Sequence, residues 1–150
     1  MNEITIIGES PEKKYEAAPL TSLSYGRICG LLELKDISEL TKLARVVTLL
    51  GFHPEGSFPL RAASVAARSL ELSSANILLG SRVAACFGLY SATEPLEWYV
   101  LPGGEEVVLF PHPSPHNRWW GDPKKTKKAK DFIWDIFWEQ EDVEGEAFAS

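Results

Sequence analysis

Cysteine, histidine and long apolar runs are all scarce. The 150-residue chain has 2 cysteines and 3 histidines. Two thiols are too few for a four-cysteine zinc or iron–sulfur site. Cys29 and Cys86 lie far apart in apolar stretches, which reads as two buried, reduced thiols and a cytoplasmic or nucleoid-associated protein. His53, His112 and His116 show no carboxylate–histidine spacing on one helix, so no metal is expected. The longest apolar runs, such as Val83 to Tyr90, fall far short of the about 20 residues that span a bilayer. No basic segment followed by a long apolar stretch opens the chain, so neither a membrane partner nor a secretory signal is expected. A phosphate-binding lysine loop and a dinucleotide glycine fingerprint are missing too. The adjacent glycines, in Pro102-Gly103-Gly104, read as a turn between strands.

What is present is an ordinary globular mixture, 45% apolar and 24% charged, of a size for one domain. We expect that domain over residues 1–141, followed by an acidic, frayed tail over 142–150. The net charge of −6 hides a segregation. Arg118, Lys124, Lys125, Lys127, Lys128 and Lys130 face a single acid, Asp122, whereas Glu139 to Ser150 holds five acids and no base. Screening makes a polyanion respond to the local patch, so an acidic total leaves DNA open as a partner on one face.

Short β-branched runs ended by glycine read as buried strands: Glu3 to Ile7, Arg45 to Leu50 and Asn76 to Leu79. Glu106 to Phe110, beyond the Pro102-Gly103-Gly104 turn from Trp98 to Leu101, is the best fourth. Between them lie helical spacings over Ser22 to Leu34, over Ile37 to Leu43 with Asp36 as cap, over Leu60 to Leu72, and over Arg82 to Phe87 with Ser81 as cap. A last helix starts at the Asp122 cap and Pro123 and runs to about Gln140. Its aromatic face must be covered, either by the sheet or by a second copy in a homodimer. The alternation predicts an α/β fold, three-layer α/β/α, with a central, mostly parallel four-stranded sheet. Ligands of such sheets bind at the strands' carboxyl ends. Three loops leave those ends: Gly8–Pro11, Gly51–Pro59 and Pro111–Asp122.

Glu9, just beyond a buried strand, can be a catalytic carboxylate or a loop acid that caps a helix. His112 stands in Phe110-Pro111-His112-Pro113-Ser114-Pro115-His116-Asn117, where prolines stiffen the backbone. Its imidazole N–H suits an anion that develops during reaction, or it bonds a neighbouring carbonyl. Arg118-Trp119-Trp120 fits base stacking with phosphate pairing, and fits packing a long loop equally well. Four lysines in the first turns of the last helix oppose its dipole, at ~0.3–1 kcal/mol each when exposed. Phosphate binding accounts for them, and so does a solvated face.

In order along the chain, Ile6-Ile7-Gly8-Glu9-Ser10-Pro11, Ile77-Leu78-Leu79-Gly80-Ser81-Arg82-Val83-Ala84 and His112-Pro113-Ser114 resemble motifs of the uracil-DNA glycosylase superfamily. The resemblance covers nearly the whole chain. It implies hydrolysis of a base–deoxyribose bond in a nucleotide flipped out of DNA, with no cofactor. Glu9 and His112 would be catalytic. Gly8, Ser10, Pro11 and Thr48 would line the base pocket. Ser114, Pro115, His116, Asn117 and Arg118 would form the loop that enters the duplex, and Lys124, Lys127 and Lys128 would hold phosphates. Two positions depart from the pattern: Glu12 follows Pro11 where glycine is common, and Thr48 stands where a base-reading asparagine is usual. A single hydroxyl cannot reproduce the paired donor and acceptor of an amide. The resemblance therefore leaves open a modified pyrimidine as substrate, or a catalytically weak DNA- or protein-binding module on the same fold. A hydrolase of free nucleosides or nucleotides is a third expectation.

Overall fold

The structure is a computed structural model; it describes residues 3–10, 23–52, 54–89, 94–114 and 117–139. Pro11, His53, Pro115, His116 and the acidic tail lie outside the described residues.

Strand β1 (Ile4–Gly8) is followed by helices α1 (Leu23–Leu31) and α2 (Ile37–Leu43), then β2 (Arg45–Thr48), α3 (Leu60–Ser69), β3 (Ala75–Leu79) and α4 (Ser81–Cys86). A hairpin of β4 (Trp98–Val100) and β5 (Glu106–Phe110) comes next, then a 3-10 turn at Arg118–Gly121 and α5 (Pro123–Trp134). The sheet order is β2-β1-β3-β5-β4. The four predicted strands pair in parallel, and β4 adds a fifth, antiparallel edge strand, Trp98 opposite Val108 and Val100 opposite Glu106. The Pro102-Gly103-Gly104 turn closes that hairpin, with Gly104 at φ 92°.

Helices cover both faces because alternate strand residues point to opposite sides. Ile6, Ile77, Val108 and Phe110 pack with Ile28, Leu40, Ala129 and Ile133 from α1, α2 and α5. Ile7, Leu78, Val107 and Leu109 pack with Ala63, Ala67, Val83 and Ala84 from α3 and α4. Each fully buried Ile or Leu contributes about 1.5–3 kcal/mol relative to exposure. The buried amide of Asn76 is satisfied, accepting from Ser73 N–H at 3.0 Å and donating to Ser73 O at 2.8 Å and Glu106 O at 3.1 Å.

Asp36 caps α2 as its sequence suggests, accepting from Ser38 N–H and Glu39 N–H. Asp122 caps α5 through Lys124 N–H at 2.9 Å, with Pro123 in the first turn. Ser81 does not cap α4. It is the first helical residue, and Gly80 occupies the cap position at φ 92° with no side-chain bond. The turn from β3 is too abrupt for a serine cap, and only glycine accepts that φ without strain. The last helix is also less regular than its spacing implies, changing at Asp135–Glu139 to a π-helical turn. Its apolar side is covered by the sheet: Ile133, Ile136 and Phe137 belong to the same core as Ile77, and Phe132 meets Trp98 at 6.0 Å between ring centres. Cys29 and Cys86 are buried free thiols. Burial pushes both thiols up from their ordinary value. Among the described residues no helix is long and apolar enough to cross a membrane.

Candidate functional site

The chain runs from β1 through β2 and then crosses to β3 on the other side of β1, so the topological switch falls between β1 and β3. Glu9 emerges from β1, Arg82 from β3 and His112 from β5. Because β3 lies between the other two, the turn that leads to Arg82 starts between the loops of Glu9 and His112. Backbone pairing continues past the strands: Leu49 N–H donates to Gly8 O, Leu50 N–H to Glu9 O and Gly80 N–H to Phe110 O. These bonds fix the backbone from which the side chains project.

Glu9 is largely shielded, its side chain 18% exposed, and among the described residues each carboxylate oxygen has one ionisable neighbour. Oε1 lies 3.4 Å from Arg82 Nη1, and Oε2 lies 3.7 Å from His112 Nε2. The second distance is longer than a direct hydrogen bond. Ser114 N–H donates to His112 Nδ1 at 3.1 Å. An accepting Nδ1 is unprotonated, so in the neutral ring the hydrogen sits on Nε2, on the side facing Glu9.

The His112 turn is held from behind. Its carbonyl accepts from the Asn117 amide and from the Trp120 indole N–H, both at 2.8 Å. Arg27, on α1, donates from Nε to Pro113 O at 3.1 Å, and its guanidinium lies 4.6 Å over the Trp120 ring. Asn117 also accepts from Trp119 N–H at 3.2 Å. Asn117 thus anchors the loop, and Trp120 is buried in the core rather than displayed for stacking. Ser114 contributes its backbone N–H to the ring.

Gly8 and Thr48 are register partners on β1 and β2. A Cβ at Gly8 would fall 2.8 Å from Tyr25 Oη, so a larger residue there would have to displace the buried Tyr25 ring, and Thr48 Cγ2 lies 3.8 Å from the same point. The Thr48 hydroxyl donates to Leu50 O at 2.7 Å. Thr48 therefore stands beside Gly8 with its hydroxyl turned onto the backbone. Ser10 is half-buried beside Glu9. Of the expected pocket and loop residues, Pro11, Pro115 and His116 fall outside the described residues.

Arg118, Lys124, Lys125, Lys127 and Lys128 are positioned differently from the pair. Lys124, Lys125, Lys127 and Lys128 are solvent-exposed on α5, which begins after the His112 loop. Lys127 Nζ donates to Asp131 at 2.8 Å, and this bond raises its pKa from the ordinary value. Lys124 and Lys128 lie one turn apart on α5.

The sequence does not single out Arg82, Gly80 or Arg27 as site residues, and it offers Trp120 for stacking rather than for the bond to His112 O. The turn after β3 is so short that it does not read as a loop. The available signal is Gly80-Ser81-Arg82, a glycine at the end of a parallel strand with an arginine two residues on. Among the described residues no three His, Cys, Asp or Glu side chains gather as a metal site.

Fold and site define an α/β protein with a carboxylate–imidazole pair at the carboxyl ends of its parallel strands. Neither comparison with protein-family models nor comparison with curated proteins returns a match.

Proposed function

We propose that the chain is a DNA glycosylase that hydrolyses the N-glycosidic bond of uracil or a modified pyrimidine flipped out of DNA. One observation carries this reading: the Nε2 side of His112 faces the Glu9 carboxylate across 3.7 Å at the strand ends. A neutral imidazole that donates from Nε2 suits a leaving base whose carbonyl oxygen gains negative charge. A shielded carboxylate beside it suits a water or a cationic sugar. The C1′–N1 bond breaks with its electron pair on the base. The water oxygen bonds to C1′, and the water's proton passes to Glu9. His112 Nε2–H stabilises the base anion, which takes up a proton on release. The order of the Gly-Glu-Ser-Pro and His-Pro-Ser segments supports the same assignment, as do the exposed lysines after the His112 loop.

A second reading is favoured by Thr48. Its hydroxyl is engaged by Leu50 O, so it offers no paired donor and acceptor to a pyrimidine edge. On that reading the chain is a catalytically weak DNA- or protein-binding module. Incubation with oligonucleotides carrying uracil or modified pyrimidines, followed by alkaline cleavage on a gel, separates the two. Abasic product is the expected outcome; tight binding without product on any base favours the module, and turnover of free nucleosides alone overturns both.

A further inference from the structure

We infer that Arg82 is the positioning residue for Glu9, holding the carboxylate by one oxygen so that the other stays aimed beside His112. The inference rests on the glycosidic reading of the same site and adds a residue to it.

Three observations lead there. First, the two oxygens of Glu9 are divided between two partners, Oε1 with Arg82 Nη1 at 3.4 Å and Oε2 beside His112 Nε2 at 3.7 Å. Second, Arg82 is itself restrained at its tip. Its side chain is 62% exposed, yet the guanidinium lies 5.6 Å over the Phe58 ring. A cation over a ring gains electrostatically while the planar fork remains free to pair edge-on with a carboxylate. Third, Gly80 turns the chain at φ 92° straight into α4, so Arg82 is the third residue beyond the central strand, which lies between the two other strands.

An exposed ion pair contributes little to folding. This one has a different capability. When a leaving base accepts a hydrogen bond from His112 Nε2–H, that hydrogen no longer faces Oε2. A carboxylate with no other restraint then rotates among its rotamers. With Arg82 on Oε1, Oε2 keeps its direction through the step in which it takes the proton of the attacking water. Geometric misplacement of about 1 Å can cost roughly 10²-fold in rate, so a restraint on direction alone has a measurable effect.

Arg82→Met removes the restraint, and Arg82→Lys keeps a cation without the fork. Both are made in the wild-type chain and in Glu9→Gln. Single-turnover cleavage of a uracil oligonucleotide is expected to slow roughly 10-fold or more in Arg82→Met, with DNA affinity nearly unchanged, and to recover partly in Arg82→Lys. In the Glu9→Gln background Arg82→Met should cause no further loss. The ring nitrogens of His112, followed by NMR without DNA, give a second readout independent of turnover. Arg82→Met should shift the Nε2 signal in the wild-type chain and leave it unmoved in Glu9→Gln. An equal rate loss in both backgrounds, or a loss of DNA affinity alone, overturns the inference and makes Arg82 a phosphate contact. Should the wild-type chain cut no substrate, the glycosidic reading fails, and the NMR pair still decides: equal shifts in both backgrounds mean that Arg82 does not act through Glu9.

Discussion

Gly80 lies against the ring of His112. A Cβ there would stand 3.1 Å from His112 Cδ2 and 3.2 Å from its Cβ, at a φ of 92°. Gly80→Ala is expected to destabilise the fold by about 1–3 kcal/mol and to displace the imidazole. Gly30→Ala is the control, because among the described residues a Cβ there meets nothing within 4 Å beyond its own helix. It should leave stability unchanged or raise it. Paired thermal melts check this, and equal melting of the two variants would count against a tight seat for His112.

Glu9→Gln and His112→Ala should each cut single-turnover cleavage by roughly 10²-fold or more. DNA affinity and melting temperature should stay close to wild type. Collapse of folding in both variants would instead assign the pair a structural role.

Thr48→Asn places an amide with both donor and acceptor beside Gly8. It also removes the hydroxyl bond to Leu50 O. Discrimination for uracil over other pyrimidines should rise, measured as relative kcat/KM across a panel of bases. An unaltered profile would place Thr48 away from the bound base.

Changing Lys124 and Lys128 together to glutamine should flatten the plot of log affinity against log salt by about 1.5. Lys127→Gln should change the slope less, since Asp131 already offsets Lys127 at 2.8 Å. A double variant with the wild-type slope would make these lysines a solvated face only.

Asp36 sets a pH dependence remote from the site. The Ser38 hydroxyl first, then the Glu39 N–H, holds its carboxyl below the ordinary value. A depressed carboxyl stabilises above its unfolded value and loses that contribution as pH falls through its folded value. The melting-temperature gap between wild type and Asp36→Ala should therefore narrow on acidification. A gap constant down to strong acid would contradict a charged cap.

The four parallel strands were readable because buried parallel strands are nearly continuous β-branched runs, as Ile4 to Ile7 and Val46-Val47-Thr48 show. Asp36 and Asp122 were readable because a cap is a local hydrogen bond, formed within two or three residues. Ser81 misled for the converse reason. Serine is a good cap in isolation, but the sharp exit from β3 needs a positive φ that Gly80 alone supplies. The loops of Glu9 and His112 advertised themselves by glycine and proline. Arg82 did not, because its neighbourhood arises from strand order, and the placing of β3 between β1 and β5 is a long-range fact. The proton position on His112 likewise depends on Ser114 N–H folding back onto Nδ1, a geometry that residue type does not encode.

The grip of Arg27 on Pro113, with Asn117 and Trp120 on the carbonyl of His112, bears on portability. The His-Pro-Ser turn is not a self-contained cassette. Transplanted into another scaffold without an arginine on a neighbouring helix and an indole behind it, the same tripeptide would lack the contacts that aim its ring. A designer who borrows this imidazole must borrow a helix from the opposite end of the sequence with it.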